Sequence, residues 1–237
     1  MSVLRPVAAS DPDLSVVIST IPAYDHAGVV EHLREQEFDR PYELLIVEDG
    51  ELDRSAARNR GLREAAADVV ALTDDDCEPP PDWLGAVWRT FESVDDLVCL
   101  EGAVYGGARY RGRRHYVGCN LAVDREAALD VGGFDSEFAG WREDTEFGWR
   151  MERDAEGACA FDPRVRVRHP TVPRSPLDPR RERMLRAAYP ERYDAILDRH
   201  PLQRVYRAAR AAGVTPVVHR QLNRVRRVGR AAAALLE

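Results

Sequence analysis

Three consecutive aspartates, Asp74-Asp75-Asp76, follow closely on the apolar run Asp68 to Leu72. If extended geometry persists past the run, Asp74 and Asp76 point to one side and Asp75 to the other. Two carboxylates converging at a strand end form a hard-oxygen site suited to Mg²⁺ or Mn²⁺. Such an ion bridges to a diphosphate and neutralises charge growing on it as it leaves. A solvated acidic loop is the alternative for any such run. Three neighbours weigh against it: the apolar strand in front, the Pro79-Pro80-Pro81 block that stiffens the following loop, and further candidate ligands downstream.

Those downstream candidates are Glu143-Asp144 and His169, and upstream Glu48-Asp49 ends another strand. Asp49 reads either as a ligand-facing acid or as an Asp-Gly turn residue. Glu143-Asp144 opens a helix, where acids are favoured in any case by the helix dipole. In Arg164-Val165-Arg166-Val167-Arg168-His169 the period of two places His169 on the face of Val165 and Val167, the side expected to be buried.

The elements that position these groups alternate. Leu14 to Thr20, Tyr42 to Val47 and Asp68 to Leu72 are short apolar, β-branched runs of strand type. Ala27 to Glu37, Ser55 to Ala67 and Asp82 to Glu92 carry helical spacing. Further strands are expected at Leu97 to Tyr105, Gly118 to Val123 and Arg164 to Arg168, and helices at Arg125 to Val131 and Glu143 to Arg153. This order predicts βαβ units and a mostly parallel sheet, whose ligands bind outside the carboxyl ends of the strands. From Pro170 on, four prolines by Pro179 mark a linker, so the expected division is one α/β domain over residues 10–172 and a helical extension over 173–237.

The 34 basic residues of the 237 are all arginine, and charge is segregated. Residues 1–163 hold 16 Arg against 35 Asp plus Glu, a net of −19, while residues 164–237 carry +12. Cys77, Cys99, Cys119 and Cys159 form no C-x-x-C pair, so no zinc knuckle is expected and buried free thiols are. No stretch approaches the ~18 consecutive apolar residues that span a bilayer, and Met1 to Asp13 lacks the apolar core of a secretory signal. A cytoplasmic protein is expected.

Taken in order, Ser15-Val16-Val17-Ile18, Glu48-Asp49-Gly50, Ala57-Arg58-Asn59-Arg60-Gly61, Leu72-Thr73-Asp74-Asp75-Asp76, Pro81-Asp82-Trp83-Leu84, Gly118-Cys119-Asn120, Gly132-Gly133-Phe134-Asp135 and Glu143-Asp144 before Arg150 resemble glycosyltransferase family 2. The resemblance implies a GT-A, Rossmann-like fold with a mostly parallel central sheet flanked by helices. It implies an inverting enzyme that moves a sugar from a UDP- or GDP-type donor to a glycan or lipid-linked acceptor with Mn²⁺ or Mg²⁺. By that resemblance Asp74 and Asp76 form a D-x-D motif, with His169 a further metal ligand. Asp144 is the general base, a role worth ~10²–10⁴-fold in rate. Thr20, Tyr24 and Asp49 line the nucleobase, and Arg58 and Arg150 hold donor groups. Asp75, Trp141 and Glu143 complete the substrate-binding set. The chain departs from the family in two places. Only eight residues separate Asp49 from Arg58, where relatives carry an extra strand and helix, and Glu51 replaces the usual serine.

The last segment, Leu222 to Leu236, mixes Arg224, Arg226, Arg227 and Arg230 with apolar residues. It reads as a peripheral contact with the inner face of an anionic membrane, suited to a lipid-phosphate acceptor, or as a helix docked on the acidic body. Sparse aromatics there speak against nucleic acid. Two other classes stay open: a non-catalytic nucleotide-sugar-binding protein, and a nucleotidyltransferase, although Thr20 to His26 lacks that class's glycine-rich loop.

Overall fold

The computed structural model describes residues 2–107, 112, 114–170 and 178–197. Its backbone divides into two units, residues 1–173 and 174–237. The first is built on a seven-stranded sheet in the order β1-β3-β2-β4-β6-β5-β7. The strands are β1 Ser2–Val7, β2 Leu14–Thr20, β3 Tyr42–Glu48, β4 Val69–Thr73, β5 Leu97–Gly106, β6 Leu121–Asp124 and β7 Ala158–His169. The helices of this unit are α1 Ala27–Arg34, α2 Arg54–Glu64, α3 Trp83–Ser93, α4 Arg125–Asp130 and α5 Glu143–Asp154.

β2, β3 and β4 are apolar along nearly their whole length because both faces of the sheet are covered. They run parallel, with Thr20 opposite Glu48 and Ile18 opposite Thr73. β6 runs antiparallel to both β4 and β5, and β7 is parallel to β5. Five strands therefore share one direction, while β1 and β6 oppose it. The carboxyl ends of β2, β3, β4, β5 and β7 meet at one edge, and the reversal of β6 brings its amino end, with the turn Gly118–Asn120, to that same edge.

Asn120 locks the turn in place. It is 1% exposed; its Oδ1 accepts from Trp83 Nε1 at 3.0 Å, and its Nδ2 donates to the carbonyls of Ala103 and Val165 at 2.9 and 3.1 Å. One buried amide thus ties α3, β5 and β7 to the start of β6. Gly102 leaves the space for it, since a Cβ there would lie 2.2 Å from Asn120 Nδ2.

Three elements differ from the sequence expectation. β1 pairs antiparallel with β3 and lies ahead of residue 10; its proline and its arginine hid an edge strand. The segment Gly118 to Val123, expected to be strand throughout, is a 3₁₀ turn followed by four strand residues. β7 begins at Ala158, not Arg164. Pro163 looks like a strand break in sequence, yet a register shift in the β5–β7 ladder at Gly102/Ala103 accommodates it.

In the second unit the described part is α6 Pro179–Ala188, a short turn Pro190–Arg192, and a wide helical turn Tyr193–Leu197. Asp178 caps α6 by accepting from the backbone of Arg180 and Arg181, and Tyr193 donates to Glu182. The Arg-rich segment Leu222 to Leu236 lies outside the described residues. Among the described residues no helix is long and apolar enough to cross a membrane.

α2 rests on the sheet through Gly61, where an added Cβ would stand 2.2 Å from Val17 Cγ1. Overpacking of this kind costs ~1–3 kcal/mol. Gly61→Ala is expected to lower stability by that amount in urea unfolding. Val17→Ala placed in the same chain is expected to relieve part of it, so the double variant is more stable than the sum of the two single losses.

Candidate active site

The sheet edge concentrates carboxylates. Asp74, Asp75 and Asp76 follow β4 in a tight turn, in which Cys77 N–H donates to the Asp74 carbonyl at 3.2 Å. The backbone does not stay extended past Thr73; within the turn Asp75 accepts from Thr20 Oγ1 at the end of β2. Asp74 and Asp76 face His169 at the end of β7, with Nε2 at 3.9 Å from one carboxylate and 3.5 Å from the other. The end of β7 is clamped to this turn by reciprocal backbone hydrogen bonds between Glu78 and Arg168. Asp74, Asp76 and His169 offer one ligand atom each within 4.8 Å of one another. Two carboxylates and an imidazole on three fixed points suit a hard divalent cation and leave coordination positions for other oxygens.

Arg58 holds this cluster to the next one. It lies in α2, is 3% exposed, and donates from Nη2 to Asp74 Oδ1 at 3.1 Å and from Nη1 to Glu143 Oε1 at 3.3 Å. Its guanidinium also stands 5.3 Å from the ring centroid of Phe134, which itself stacks on Phe147. Burial pushes Asp74 towards protonation, but Arg58, Arg54 and His169 outweigh it and hold the carboxyl below its ordinary range. Glu143 has the opposite balance. Its burial and the neighbouring Asp144 raise it despite Arg58.

Asp144 sits in the first turn of α5. Its Oδ2 accepts from Gly118 N–H at 2.9 Å, and its Oδ1 accepts from Thr145 N–H at 2.7 Å. The helix is entered through Arg142 at φ 70°, a left-handed conformation unusual for a side chain of that size. Gly118 must lack a side chain because a Cβ would meet the Arg58 guanidinium 2.5 Å away. Arg54 shares the cleft with both acid groups. It lies 3.8 Å from Glu143, and Asp74, Glu143, Asp144 and Asp75 together raise its affinity for its proton.

Residues 51–146 match the model of glycosyl transferase family 2. Over this segment the chain is similar to the family 2 glycosyltransferases. A glucosyl-dolichyl phosphate glucuronosyltransferase of Haloferax volcanii is 28% identical over 135 residues, which are 43% of this chain and 43% of that protein. The match thus spans less than half of the curated relative. Among solved structures, the mannosyltransferase PcManGT of Pyrobaculum calidifontis, in complex with GDP-Man and Mn²⁺, has a TM-score of 0.56 at 16% identity, covering 98% of this chain and 82% of that one. S. aureus TarS 1–349 in complex with UDP-GlcNAc has a TM-score of 0.58 at 14% identity, covering 85% and 71%. At such identities the likeness speaks for the fold, which is GT-A.

The motifs that carry the resemblance to family 2 meet one another in space. Asn59, one residue after Arg58, donates to the Phe134 carbonyl at 2.8 Å and accepts from Phe134 N–H. The Arg-Asn-x-Gly segment of α2 thereby fixes the Gly-Gly-Phe-Asp loop. Arg58, expected to touch donor groups, is instead committed to two protein carboxylates. Arg150 stands apart from the acid cluster: it donates to Glu146 and to the carbonyls of Val131 and Gly133, holding the same Gly-Gly turn. Asp49 is 6% exposed and its Oδ1 accepts from the backbone of Glu51 and Leu52, hydrogen bonds that lower its pKa. Tyr24 is 60% exposed beyond the end of β2. Trp141 is half-buried beside α5 with the Arg142 guanidinium 5.3 Å from its ring centroid.

Two residues near this site escaped the sequence reading. Arg54 looked like any helix arginine. Glu101 is 2% exposed in β5 and accepts from the backbone N–H groups of Arg114, His115 and Tyr116. Its signal was a charge inside the apolar run Leu97 to Ala103. It fixes the segment that leads into Gly118.

Replacing Arg58 leaves Asp74 and Glu143 buried without their shared cation, and breaking a buried pair in this way costs ~3–5 kcal/mol. Arg58→Met is expected to lose that much in urea unfolding. Adding Glu143→Gln is expected to restore part of the loss.

Glu101 gives a pH signature. Burial raises its pKa from 4.5 to about 7. The folded state therefore binds more protons than the unfolded state between those values, and stability falls as pH rises through 7, by about 3 kcal/mol at most. Wild type is expected to lose stability relative to Glu101→Gln between pH 5 and pH 8 in denaturant titrations. Parallel pH curves for the two proteins contradict it.

Proposed function

We propose that this protein transfers a sugar from a UDP- or GDP-sugar to a hydroxyl of a glycan or lipid-phosphate-linked acceptor in a single inverting displacement. The observation that carries the reading is the convergence of Asp74, Asp76 and His169 with Asp144 on one cleft, in which Arg54 feels both carboxylate groups. The fold shared with a GDP-Man complex and a UDP-GlcNAc complex supports a nucleotide-sugar donor. The glucosyl-dolichyl phosphate relative supports a lipid-linked acceptor. A protein that works at the inner face of a membrane without crossing it fits such an acceptor.

Asp74, Asp76 and His169 would hold a Mn²⁺ or Mg²⁺ ion, which supplies charge neutralisation to the departing diphosphate. The protein's own residues do the rest. Thr20 holds Asp75 against the end of β2, beside the exposed Tyr24 and the turn of Asp49, where the nucleoside is received. Arg54 faces the phosphates, and Arg58 keeps Asp74 aimed. Asp144, oriented by Gly118 N–H and Thr145 N–H, takes the proton of the acceptor hydroxyl. As that oxygen bonds to the anomeric carbon, the bond from the carbon to the diphosphate oxygen breaks on the opposite side and the configuration inverts. Trp141, close to α5, offers the acceptor sugar a flat apolar face.

The test is release of nucleoside diphosphate by the full chain from UDP- and GDP-sugars over a panel of glycan and lipid-phosphate acceptors. Release is expected to stop in EDTA and return with Mn²⁺. Asp144→Asn is expected to cut kcat by ~10²–10⁴-fold while nucleotide binding persists. Turnover indifferent to EDTA or to Asp144→Asn contradicts the mechanism, and donor binding with no turnover on any acceptor favours a binding protein.

A further inference from the structure

The four cysteines are isolated in sequence, but the fold gathers them in twos. Cys99 and Cys159 are register partners across β5 and β7. Cys77, at the end of the aspartate turn, lies beside Cys119 of the Gly118–Asn120 turn, their sulfurs within 4.8 Å of each other. Both members of the second pair are 2% exposed. This pair also has a third partner. Cys77, Cys119 and His169 offer two sulfurs and a ring nitrogen, all within 4.8 Å of one another. No comparable third ligand joins Cys99 and Cys159 among the described residues.

We propose that Cys77, Cys119 and His169 form a second cation site, for a thiophilic ion of the Zn²⁺ or Cd²⁺ kind, which shares His169 with the carboxylate cluster. Two thiolates and an imidazole select soft or borderline metals, whereas Asp74 and Asp76 select hard ones. The three donors come from three separate elements, each fixed independently. The aspartate turn is closed by the Cys77 N–H bond to Asp74 O, the Gly118–Asn120 turn is locked by Asn120, and the end of β7 is clamped by the Glu78–Arg168 ladder. The site is therefore close to assembled, and the ion has only to draw the ligands in and displace the thiol protons. The His169 side chain, 13% exposed, gives the route in from solvent. A water or a neighbouring aspartate oxygen completes four-coordination. The proposal does not depend on sugar transfer, and its readouts are free of it.

The test uses reduced, metal-free full-length protein titrated with Cd²⁺ and read by the ultraviolet thiolate-to-cadmium charge-transfer band. Wild type and Cys99→Ser/Cys159→Ser are expected to show the band, and Cys77→Ser/Cys119→Ser to lack it. His169→Ala is expected to weaken Cd²⁺ binding at least as much as loss of an outer partner does, roughly 10–100-fold. Zinc X-ray absorption on wild type needs no variant: two sulfurs at ~2.3 Å with an imidazole nitrogen are expected. A band that survives in Cys77→Ser/Cys119→Ser, or a zinc shell of oxygen and nitrogen alone, overturns the proposal.

Discussion

One guanidinium sets the geometry of the cleft. Arg58 is nearly inaccessible to solvent, yet it carries a full charge, a state tolerable only because Asp74 and Glu143 receive its two Nη groups. The two carboxylates are equally dependent on it, since neither is well solvated where it stands. Arginine is the residue for this task because its planar fork presents separate donors in fixed directions, whereas a lysine ammonium is a single point on a flexible stem. The interaction ties α2 to the turn after β4 and to the first turn of α5. Through Gly118, packed under the same guanidinium, it also constrains the turn that donates to Asp144. Metal-type ligands and the candidate base thus answer to one side chain that need not touch a substrate.

The second constraint is the reversed strand. A strictly parallel sheet collects only carboxyl ends at its ligand edge. β6, inserted antiparallel between β4 and β5, delivers an amino end there instead, and with it the backbone N–H of Gly118 pointing out of the sheet. That N–H is what orients Asp144. Asn120 prevents the turn from sliding, because its three hydrogen bonds reach three different elements and a shift would leave each partner buried and unpaired.

Where a residue's role is local, it was readable in the sequence. The parallel strands stood out because burial on both faces demands unbroken apolar runs, whereas the split of Asp75 from Asp74 and Asp76 arises in a turn after Thr73 and not from continued strand alternation. The inward position of His169 came from the period of two in the strand that it ends. What stayed hidden depends on tertiary neighbours. Nothing within the Arg-Asn-x-Gly segment tells a surface arginine from one sunk between two carboxylates, or says that Asn59 will hold Phe134 seventy-five positions away. Arg150 carried the same ambiguity and resolved to a support of the Gly-Gly turn. β1 was invisible because an edge strand needs only one apolar face and tolerates proline. The cysteine pairs required strand register, which no spacing rule supplies.

Charge decides how such a cleft works. Burial first, and neighbouring carboxylates second, push Asp75 and Glu143 up, while Asp74, Glu143, Asp144 and Asp75 tighten the hold of Arg54 on its proton. A diphosphate entering this field meets more carboxylates than guanidiniums, so its approach is unfavourable unless further positive charge comes with it. A divalent ion held by Asp74, Asp76 and His169, as proposed, would convert the same carboxylates from a repulsive wall into a seat. By linkage the benefit is mutual, because whatever the ion does for the affinity of the nucleotide, the nucleotide does for that of the ion. An excess of acid over base at the sheet edge is therefore compatible with the proposed nucleotide site. It would make occupancy conditional on both components arriving together, and would favour release of the ion once the diphosphate had gone.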